Sequence, residues 1–490
     1  MRPLIRLLFC CSLTHPLSAQ LPYTTANQYA WQVDSNLTYG TAVNYMGAVN
    51  VLRLDLYKPV GDHNLQRPLL VLVHGGDWIA GCKYDMAWLA EEMAGRGYVV
   101  ATVNYRLGWH KDDYVSAPIC PYGDAARNAY PADSCEIMRA LYRAQQDVKG
   151  AIRWLRCRHL QDSTSLCQVL VGGESAGAFT SLAVGLLDRA SEKPFCCAAL
   201  PAVPAPDVNL INRTTMDCAQ QDWTIPPGSL ARPDLGSVDG DLNQNGYAAN
   251  VSGVLSFFGG LPVEAQTKDW LGGPDTPAIY LYHQTCDGIV PFQYGQPTVT
   301  ISAYCNLGCT PWHLQYPFMY GNGAIAAYFA TLANPPTYMT DFQYCDPFNP
   351  DLSLFECIRF GNNGSYHFTA NKPQRAQNVA AFFSPLLTAQ PCTVIGLACT
   401  LATGNPSPLD DWRLSPNPFH DRLSIFCAQP PAGSVLLQLL DVTGRLVWQD
   451  ARGLQSGNNE VLILKKLPVG AYLLRVAGWE GTRLWKVICQ

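Results

Sequence analysis

Short, uninterrupted apolar runs alternate with amphipathic segments through most of the sequence. Strands are predicted at residues 51–57, 69–73, 98–103, 168–172, 251–257 and 278–282. Helices are predicted at residues 84–95, 136–155, 176–187 and 372–387, with apolar side chains at helical spacing in the longest. Strands that are apolar on both faces must be covered on both faces. The pattern therefore predicts an α/β fold with a doubly wound, mostly parallel sheet.

One strand-to-helix junction carries the pentapeptide Gly-Glu-Ser-Ala-Gly at residues 173–177, the only G-x-S-x-G in the chain. A buried strand before it and a helix after it are the context of a nucleophile elbow. In such an elbow the turn is too tight for side chains beside the serine, so the hydroxyl projects above the sheet. Ser175 is therefore the predicted nucleophile, and a glycine-rich packing turn is the alternative interpretation.

A serine nucleophile needs a histidine base, which follows both the serine and the acid along the chain in this type of fold. Four histidines follow the pentapeptide: His283, His313, His367 and His420. His367 lies between an apolar strand candidate at residues 354–360 and the final helix, where such a fold carries its base. We therefore predict His367 as the base, and His313 in a cysteine-bounded insertion is its rival.

The acid that orients the base should follow the strand at residues 278–282. Asp287 is the first carboxylate after that strand, and a buried aspartate there would fix the imidazole tautomer. The alternative is a turn aspartate that caps the bend at Gly288, and Asp341 and Asp346 are the reserve candidates.

Acyl transfer also needs hydrogen-bond donors for the oxyanion of the tetrahedral intermediate. The strand at residues 69–73 ends in His-Gly-Gly-Asp-Trp, where this kind of fold places a second donor. We predict that the backbone N–H groups of Gly76 and Asp77 join that of Ala176 in an oxyanion hole. The Asp77 carboxylate must then point away from the oxyanion, and His74 is expected to brace the loop.

These motifs, together with Val-Asn-Tyr-Arg-Leu-Gly at residues 103–108 and the H-x-x-x-D-x-x-V-P segment, resemble those of carboxylesterases and feruloyl esterases. The resemblance covers residues 51–387 and implies an α/β-hydrolase. Its acid candidate is Asp rather than the Glu of type-B carboxylesterases, so the smaller bacterial esterases match better. The resemblance implies a serine hydrolase that cleaves carboxylic esters through an acyl-enzyme, with no metal or organic cofactor. Aromatic or polymeric esters are candidate substrates.

Two other functions are compatible with parts of this pattern. A peptidase of the prolyl-oligopeptidase type would share the chemistry, but too few residues precede His74 to form the propeller of those enzymes. A non-catalytic surface protein on a hydrolase scaffold would be expected to lack a member of the triad, and all three candidates are present.

A stretch rich in Pro, Thr, Gly, Asn and Ser separates the large unit from a tail of short strands divided by turn signals, which predicts a small β-sandwich. Pro-Asn-Pro-Phe at residues 416–419, Leu-Asp-Val-Thr-Gly-Arg at 440–445 and Leu-Pro-Val-Gly-Ala-Tyr at 467–472 resemble the C-terminal sorting domain of type IX secretion cargo in Bacteroidetes. The resemblance implies the type IX secretion machinery as a partner. A carbohydrate-binding or adhesion sandwich is the alternative.

The start of the chain has two arginines, a short apolar run and a small residue at Ala19, as a secretory signal has. The predicted domains are a signal peptide at residues 1–19, an α/β-hydrolase domain at 20–391, a linker at 392–413 and a β-sandwich sorting domain at 414–490. No run is long enough for a transmembrane segment. The net charge of −5 gives no electrostatic basis for nucleic-acid binding. The expected location is secreted or attached to the cell surface.

An exported chain with nineteen cysteines should contain disulfides. The short-range candidates are Cys120–Cys135, Cys157–Cys167, Cys305–Cys309, Cys345–Cys357 and Cys392–Cys399. A zinc site is disfavoured because no paired CxxC knuckles exist. Residues 239–246 alternate oxygen-bearing side chains as calcium loops do, but the closing carboxylate is missing. An Asn- and Gly-rich loop before the strand at Val251 is therefore favoured over a calcium site.

Overall fold

The computed structural model describes most of the chain outside its first twenty residues. The described residues are 21–110, 131–204, 211–216, 218–224, 229–263, 270–271, 276–297, 316–345, 366–388, 413–415, 419–427, 434–441, 445–463, 466–478 and 481–489.

Eight strands form the main sheet, and smaller sheets lie around its loops. The main-sheet strands are β1 (Ala30–Val43), β2 (Val49–Val60), β3 (Arg67–Val73), β4 (Val99–Val103), β5 (Thr164–Glu174), β10 (Gly253–Phe257), β12 (Ala278–Gln284) and β15 (Tyr338–Gln343). The intervening short strands are β6 (Leu200–Pro204), β7 (Ile211–Met216), β8 (Ala219–Thr224), β9 (Ser229–Arg232), β11 (Gly260–Pro262), β13 (Tyr294–Gly295) and β14 (Met319–Gly321). The described helices are α1 (Ala87–Ala94), α2 (Ser134–Cys157), α3 (His159–Asp162), α4 (Ala176–Leu186), α5 (Asn322–Phe329) and α6 (Lys372–Thr388).

The strand order in the main sheet is β1-β2-β4-β3-β5-β10-β12-β15. β1 pairs with β2 and β2 with β4 in antiparallel fashion, and every later pair is parallel. Because the six parallel strands all point the same way, the loops at their carboxyl ends gather along one edge. This is the doubly wound, mostly parallel α/β-hydrolase sheet that the sequence predicted.

Alternate side chains of each strand enter two separate cores. In β3, Leu69, Val71 and Val73 contact one core with α2 and α4, whereas Leu70 and Leu72 contact the other with α1 and α6. Every one of these five side chains is fully buried. Helices thus cover the sheet on both faces, which explains why its strands carry no polar alternation.

The predicted elements correspond closely to the observed ones, with differences of a few residues at their ends. The helix predicted at residues 84–95 begins as a 3₁₀ turn (Lys83–Met86) and becomes α-helical at Ala87. Two outer strands, β1 and β15, were not predicted. Neither strand is a continuous apolar run, because both lie at the edges of the sheet, where most of their side chains are exposed or only partly buried. The strand candidate at residues 354–360 lies outside the described residues.

The tail forms a two-layer β-sandwich, as predicted. One sheet contains β16 (Arg413–Ser415), β17 (Arg422–Cys427) and β20 (Gly457–Leu462). The other contains β18 (Ser434–Leu440), β19 (Leu446–Gly453), β21 (Gly470–Gly478) and β22 (Gly481–Cys489). Side chains from both sheets, including Ile425 and Leu437, share one buried core. Among the described residues, no helix has the length and apolar character needed to cross a membrane.

Two of the predicted disulfide pairings are wrong. Cys135 bonds Cys196 rather than Cys120, and Cys345 bonds Cys286 rather than Cys357. A third bond, Cys82–Cys218, was not predicted. Short sequence separation is a poor guide here because the fold brings distant loops together at one edge of the sheet. Cys157 and Cys167 are both disulfide-bonded, while Cys120, Cys305, Cys309, Cys357, Cys392 and Cys399 lie outside the described residues.

The Cys286–Cys345 bond joins the loop after β12 to the end of β15 and closes a loop of 59 residues. Replacing both cysteines by serine should lower the free energy of unfolding by up to about 4 kcal/mol, the chain-entropy value for a loop of this length. Urea unfolding of the two proteins measures the difference. Non-reducing peptide mapping of the wild type is the direct check, and a Cys345–Cys357 peptide would refute the pairing.

Candidate active site

The turn between β5 and α4 holds Ser175 in an unusual backbone conformation. Its φ is 54° and its ψ is −125°, a backbone region that residues other than glycine rarely adopt. The Ser175 N–H donates to Phe257 O at 3.0 Å, so the end of the neighbouring strand β10 fixes the turn. A Cβ on Gly177 would lie 2.1 Å from Val73 O, which only glycine avoids. The elbow predicted from the pentapeptide is present.

Three predicted site residues lie in one hydrogen-bonded chain. His367 Nε2 is 2.8 Å from Ser175 Oγ, and His367 Nδ1 is 2.7 Å from Asp287 Oδ2. The three come from the ends of different elements: Ser175 follows β5, Asp287 follows β12, and His367 precedes α6. Parallel strands place such loops together although the residues are far apart in sequence.

Asp287 is fully buried and accepts hydrogen bonds on both carboxylate oxygens. Oδ1 accepts the backbone N–H groups of Ile289 at 2.8 Å and Val290 at 3.0 Å. Oδ2 contacts His367 and also His283 Nε2, the latter at 3.1 Å. Burial alone would raise the pKa of Asp287, but the opposing effects of His367 and His283 leave it below its usual value. The carboxylate is therefore held in its ionised form.

His283 is a site residue that the sequence reasoning did not assign. It lies in β12, four residues before Asp287, and is fully buried. Its Nε2 also lies 3.3 Å from Val290 O, so it braces the loop that carries the acid. The H-x-x-x-D spacing at residues 283–287 is the signal that could have identified it.

The loop that carries His367 is fastened to the elbow. Thr369 Oγ1 donates to Glu174 Oε1, so a side chain beside the serine holds the residue two positions after the histidine. The Phe258 ring packs edge-on against the imidazole with a centroid distance of 4.5 Å. These contacts restrict the movement of the loop and of the imidazole ring.

The His-Gly-Gly-Asp-Trp turn lies directly beside the serine. A Cβ on Gly75 would be 3.1 Å from Ser175 Cβ, so the two backbones are nearly in contact. Gly76 has a φ of 103°, and its carbonyl accepts the N–H groups of Ile79 and Ala80, which closes the turn. Asp77 and Ala176 thus line the same small cavity as Ser175, and Gly76 belongs to the turn beside it.

His74 braces this turn, as expected. Its Nδ1 lies 2.7 Å from Gly75 O, and its ring stacks on Tyr105 at 4.4 Å. Complete burial lowers the pKa of His74 to about 4, so the ring is neutral near pH 7.

The Asp77 carboxylate is the least expected group at the site. The residue is partly buried in the wall of the cavity, and Tyr316 donates its hydroxyl to Asp77 Oδ2 at 2.7 Å. Burial raises the pKa of Asp77 to about 7, against the lowering effects of Tyr316 and His367. The side chain therefore titrates near neutral pH within the cavity wall rather than pointing into solvent. The rest of the described wall is largely apolar: Trp78, Phe179, Ile289, Val290, Pro297 and Met319.

The reserve candidates are placed differently. Asp341 lies in β15, where it forms an ion pair with Arg375 at 2.6 Å and accepts hydrogen bonds from Tyr280 and Asn378. It therefore ties the last strand to α6. His313 and Asp346 lie outside the described residues, and His420 belongs to the tail. Among the described residues, no cluster of three His, Cys, Asp or Glu side chains could hold a metal ion.

Two family models match separate parts of the chain. Residues 54–118 match BD-FAE, an esterase-like α/β-hydrolase family, and residues 413–490 match the secretion system C-terminal sorting domain. No curated protein matches. The two matches confirm both resemblances seen in the sequence: the chain combines an esterase-like hydrolase part with a type IX sorting domain, which indicates export.

The solved structures similar to this chain include esterase 2 of Thermogutta terrifontis in several forms. The form phosphoramylated by tabun is 14% identical, covers 73% of this chain and 95% of its own, and has a TM-score of 0.37. The propionate-bound form from the same planctomycete is 15% identical, covers 74% of this chain and 95% of its own, and has a TM-score of 0.38.

The raised pKa of Asp77 predicts a pH-dependent stability. Its usual value is 3.8, so between about pH 4 and 7 the native state binds a proton that the unfolded chain has lost, and stability falls as pH rises through this window. Asp77→Asn carries no such charge and, like Asp, tolerates the left-handed backbone at a φ of 55°. Its melting temperature minus that of the wild type should increase from pH 4 to 7, measured by scanning calorimetry.

Tyr316→Phe is the matched control for this prediction. It removes the hydrogen bond that favours the ionised carboxylate, so it should move the window to higher pH without abolishing it. A difference between Asp77→Asn and wild type that is constant from pH 4 to 8 would mean that Asp77 does not titrate in the native protein.

Proposed function

We propose that the protein is an exported serine hydrolase that cleaves carboxylic esters through an acyl-enzyme intermediate. The observation that carries this proposal is the hydrogen-bonded chain from Ser175 through His367 to Asp287, at a strand-to-helix elbow. In this mechanism, Ser175 Oγ attacks the ester carbonyl while His367 Nε2 takes its proton, and His367 then returns that proton to the leaving alcohol. Water attacks the acyl-enzyme by the same route and releases the acid.

Asp287 acts by orienting the base. Its contact with His367 Nδ1 selects the tautomer that leaves Nε2 free to accept the serine proton, and its ionised form stabilises the imidazolium. The hydrogen bonds from the loop N–H groups and from His283 hold this carboxylate in place without neutralising it.

The oxyanion hole in this proposal consists of the backbone N–H groups of Gly76, Asp77 and Ala176. This assignment is supported by the close approach of Gly75 to Ser175 and by the position of Asp77 and Ala176 in the wall of the same cavity. One such donor contributes roughly 3–4 kcal/mol to lowering the barrier. The Asp77 side chain serves better when it is protonated, because a carboxylate in the same cavity would oppose a developing negative charge.

The apolar cavity wall favours esters with an apolar or aromatic acyl group. Trp78, Phe179 and Met319 offer hydrocarbon and aromatic surface, and the Asp77–Tyr316 pair is the polar exception. A panel of nitrophenyl esters, feruloylated sugars and polyester film, each paired with the corresponding amide where one exists, would define the substrate. Cleavage of amides in preference to esters would favour the peptidase alternative.

Ser175→Ala should leave a folded protein whose ester hydrolysis is reduced by about 10⁴-fold or more, because the nucleophile is lost. His367→Ala should have a similar effect on kcat. Ser181→Ala is the matched control: its hydroxyl lies in the same helix but donates to Gly177 O at 2.7 Å, so activity should stay within a few fold. The measurement is kcat/KM on nitrophenyl acetate, with circular dichroism to verify folding.

A fluorophosphonate probe provides a second readout for the nucleophile. It should label Ser175 in the wild type and leave the Ser175→Ala protein unlabelled. Near wild-type hydrolysis by Ser175→Ala would remove this serine from the mechanism.

Deletion of residues 414–490 should retain the protein in the periplasm of its native host, because the sorting domain is lost. The truncated chain should remain an active esterase, since the sandwich has its own core. Cell fractionation and esterase assays measure both outcomes, and full-length Ser175→Ala, which should be exported normally, controls for activity. Appearance of the truncated form outside the cell would contradict the sorting role.

A further inference from the structure

A second cleft, of about 520 Å³, lies apart from the Ser175 cavity and shares none of its described lining residues. Its walls come from the β1–β2 turn, the segment after β4, helix α2 and the segment around β9. Its volume falls in the range of small-molecule sites. The proposed esterase mechanism does not use it.

Arg143 is a buried cation in the wall of this cleft that has no counter-ion in the described part of the chain. Its side chain projects from α2, and only 4% of the residue is exposed. Its one hydrogen bond with the described residues runs from Nη2 to Gly108 O at 2.9 Å, and the Tyr45 ring lies 6.0 Å from its Cζ. No described carboxylate lies within ion-pair distance, and burial lowers the pKa of Arg143 to about 10, which still leaves it charged at neutral pH.

The neighbouring charged side chains already have ion-pair or hydrogen-bond partners. Arg106 pairs with Asp147 at 2.7 Å, and Glu136 accepts the His110 N–H at 2.9 Å and lies 3.5 Å from Arg232. The second guanidinium in the wall, that of Arg139, donates to the carbonyls of Cys196, Ala198 and Pro233. Among the described residues, Arg143 thus keeps Nε, Nη1 and one Nη2 hydrogen without an acceptor, whereas Arg139 already makes three hydrogen bonds.

Two more polar atoms at the cleft have no partner in the described part of the chain. They are the Tyr45 hydroxyl and His110 Nδ1. His110 is 3% exposed, and burial lowers its pKa, so the ring is neutral. The Tyr45 ring packs edge-on against it at 5.3 Å. An unpartnered buried polar group costs about 1–3 kcal/mol, and an unpaired buried charge costs more. The free donors of Arg143 and the Tyr45 hydroxyl point to a ligand that supplies acceptor oxygens. His110 Nδ1 is an acceptor, because Nε2 faces Ala231 O at 3.4 Å.

We propose that this cleft binds a small organic carboxylate. Gly108 O takes one of the two Nη2 hydrogens of Arg143, so the other remains beside either the Nε or the Nη1 hydrogen, and that pair matches the two oxygens of a carboxylate. The Tyr45 hydroxyl can donate a further hydrogen bond. A monoanion suits this cleft better than a phosphate dianion, because the carboxylates of Asp234 and Asp241 line the same cleft and oppose additional negative charge. Leu230 and Met46 in the same wall provide apolar surface for the body of the acid.

Isothermal titration of the full-length protein with benzoate tests the proposal directly and independently of esterase activity. Benzoate should bind, and benzamide, which has the same shape without the charge, should bind at least about tenfold more weakly. Inorganic phosphate should not compete. Absence of benzoate binding, or equal binding of benzamide, overturns the proposal, as does displacement of benzoate by millimolar phosphate.

Variants locate the binding in this cleft rather than at the serine. Arg143→Gln should weaken benzoate binding by about tenfold or more, and Tyr45→Phe, which removes only the hydroxyl, should weaken it several-fold. Arg422→Gln, at an exposed arginine of the tail, and Ser175→Ala should leave it unchanged. If Arg143→Gln fails to fold, Tyr45→Phe still decides. Wild-type affinity in Tyr45→Phe or Arg143→Gln, or loss of binding in Ser175→Ala, refutes the site.

Discussion

The close packing of the elbow against β3 is the contact on which the site depends. A Cβ on Gly173 would lie 2.3 Å from Val73 O, and one on Gly177 would lie still nearer. Only glycine at both positions lets β5 and α4 approach β3 so closely. The same approach places Gly75, immediately after β3, against Ser175. One backbone contact thus positions both the serine and the turn beside it.

The ionisation of the two aspartates at the site depends on the hydrogen-bond donors around each carboxylate. The Asp287 side chain has no solvent contact, yet four donors surround its carboxylate oxygens. The loop that carries Asp287 is joined to β15 by the Cys286–Cys345 bond. Among the described residues, Tyr316 is the one side chain that donates to the Asp77 carboxylate, and burial raises the pKa of this carboxylate instead. The pKa values of these two aspartates near Ser175 thus shift in opposite directions, because the carboxylates differ in the number of their donors.

Local patterns in the sequence were sufficient to predict the elbow and most of the parallel strands, because each rests on an apolar run and the loop that follows it. Asp287 and His367 were predicted from the chain order that this type of fold requires. Contacts between distant loops were not predictable. Cys135 pairs with Cys196 in another loop, and Tyr316 reaches Asp77 across 239 positions. His283 was missed for a related reason: its role depends on a turn that brings Val290 back beside β12.

The charged face of α2 shows why a lone cation is informative. The segment of residues 229–250 wraps this helix and satisfies its polar side chains with carbonyls: Arg153 donates to Leu242 O and Asp239 O, and Lys149 to Val238 O. The Asn- and Asp-rich stretch at residues 239–246 takes part in this packing through the carbonyls of Asp239 and Leu242. Arg139 follows the same rule through Pro233 O. Arg143, on the same helix, reaches only one carbonyl and opens on a cleft instead. Among the described cations of α2, Arg143 makes the fewest hydrogen bonds, so it is the position where a ligand oxygen would add most.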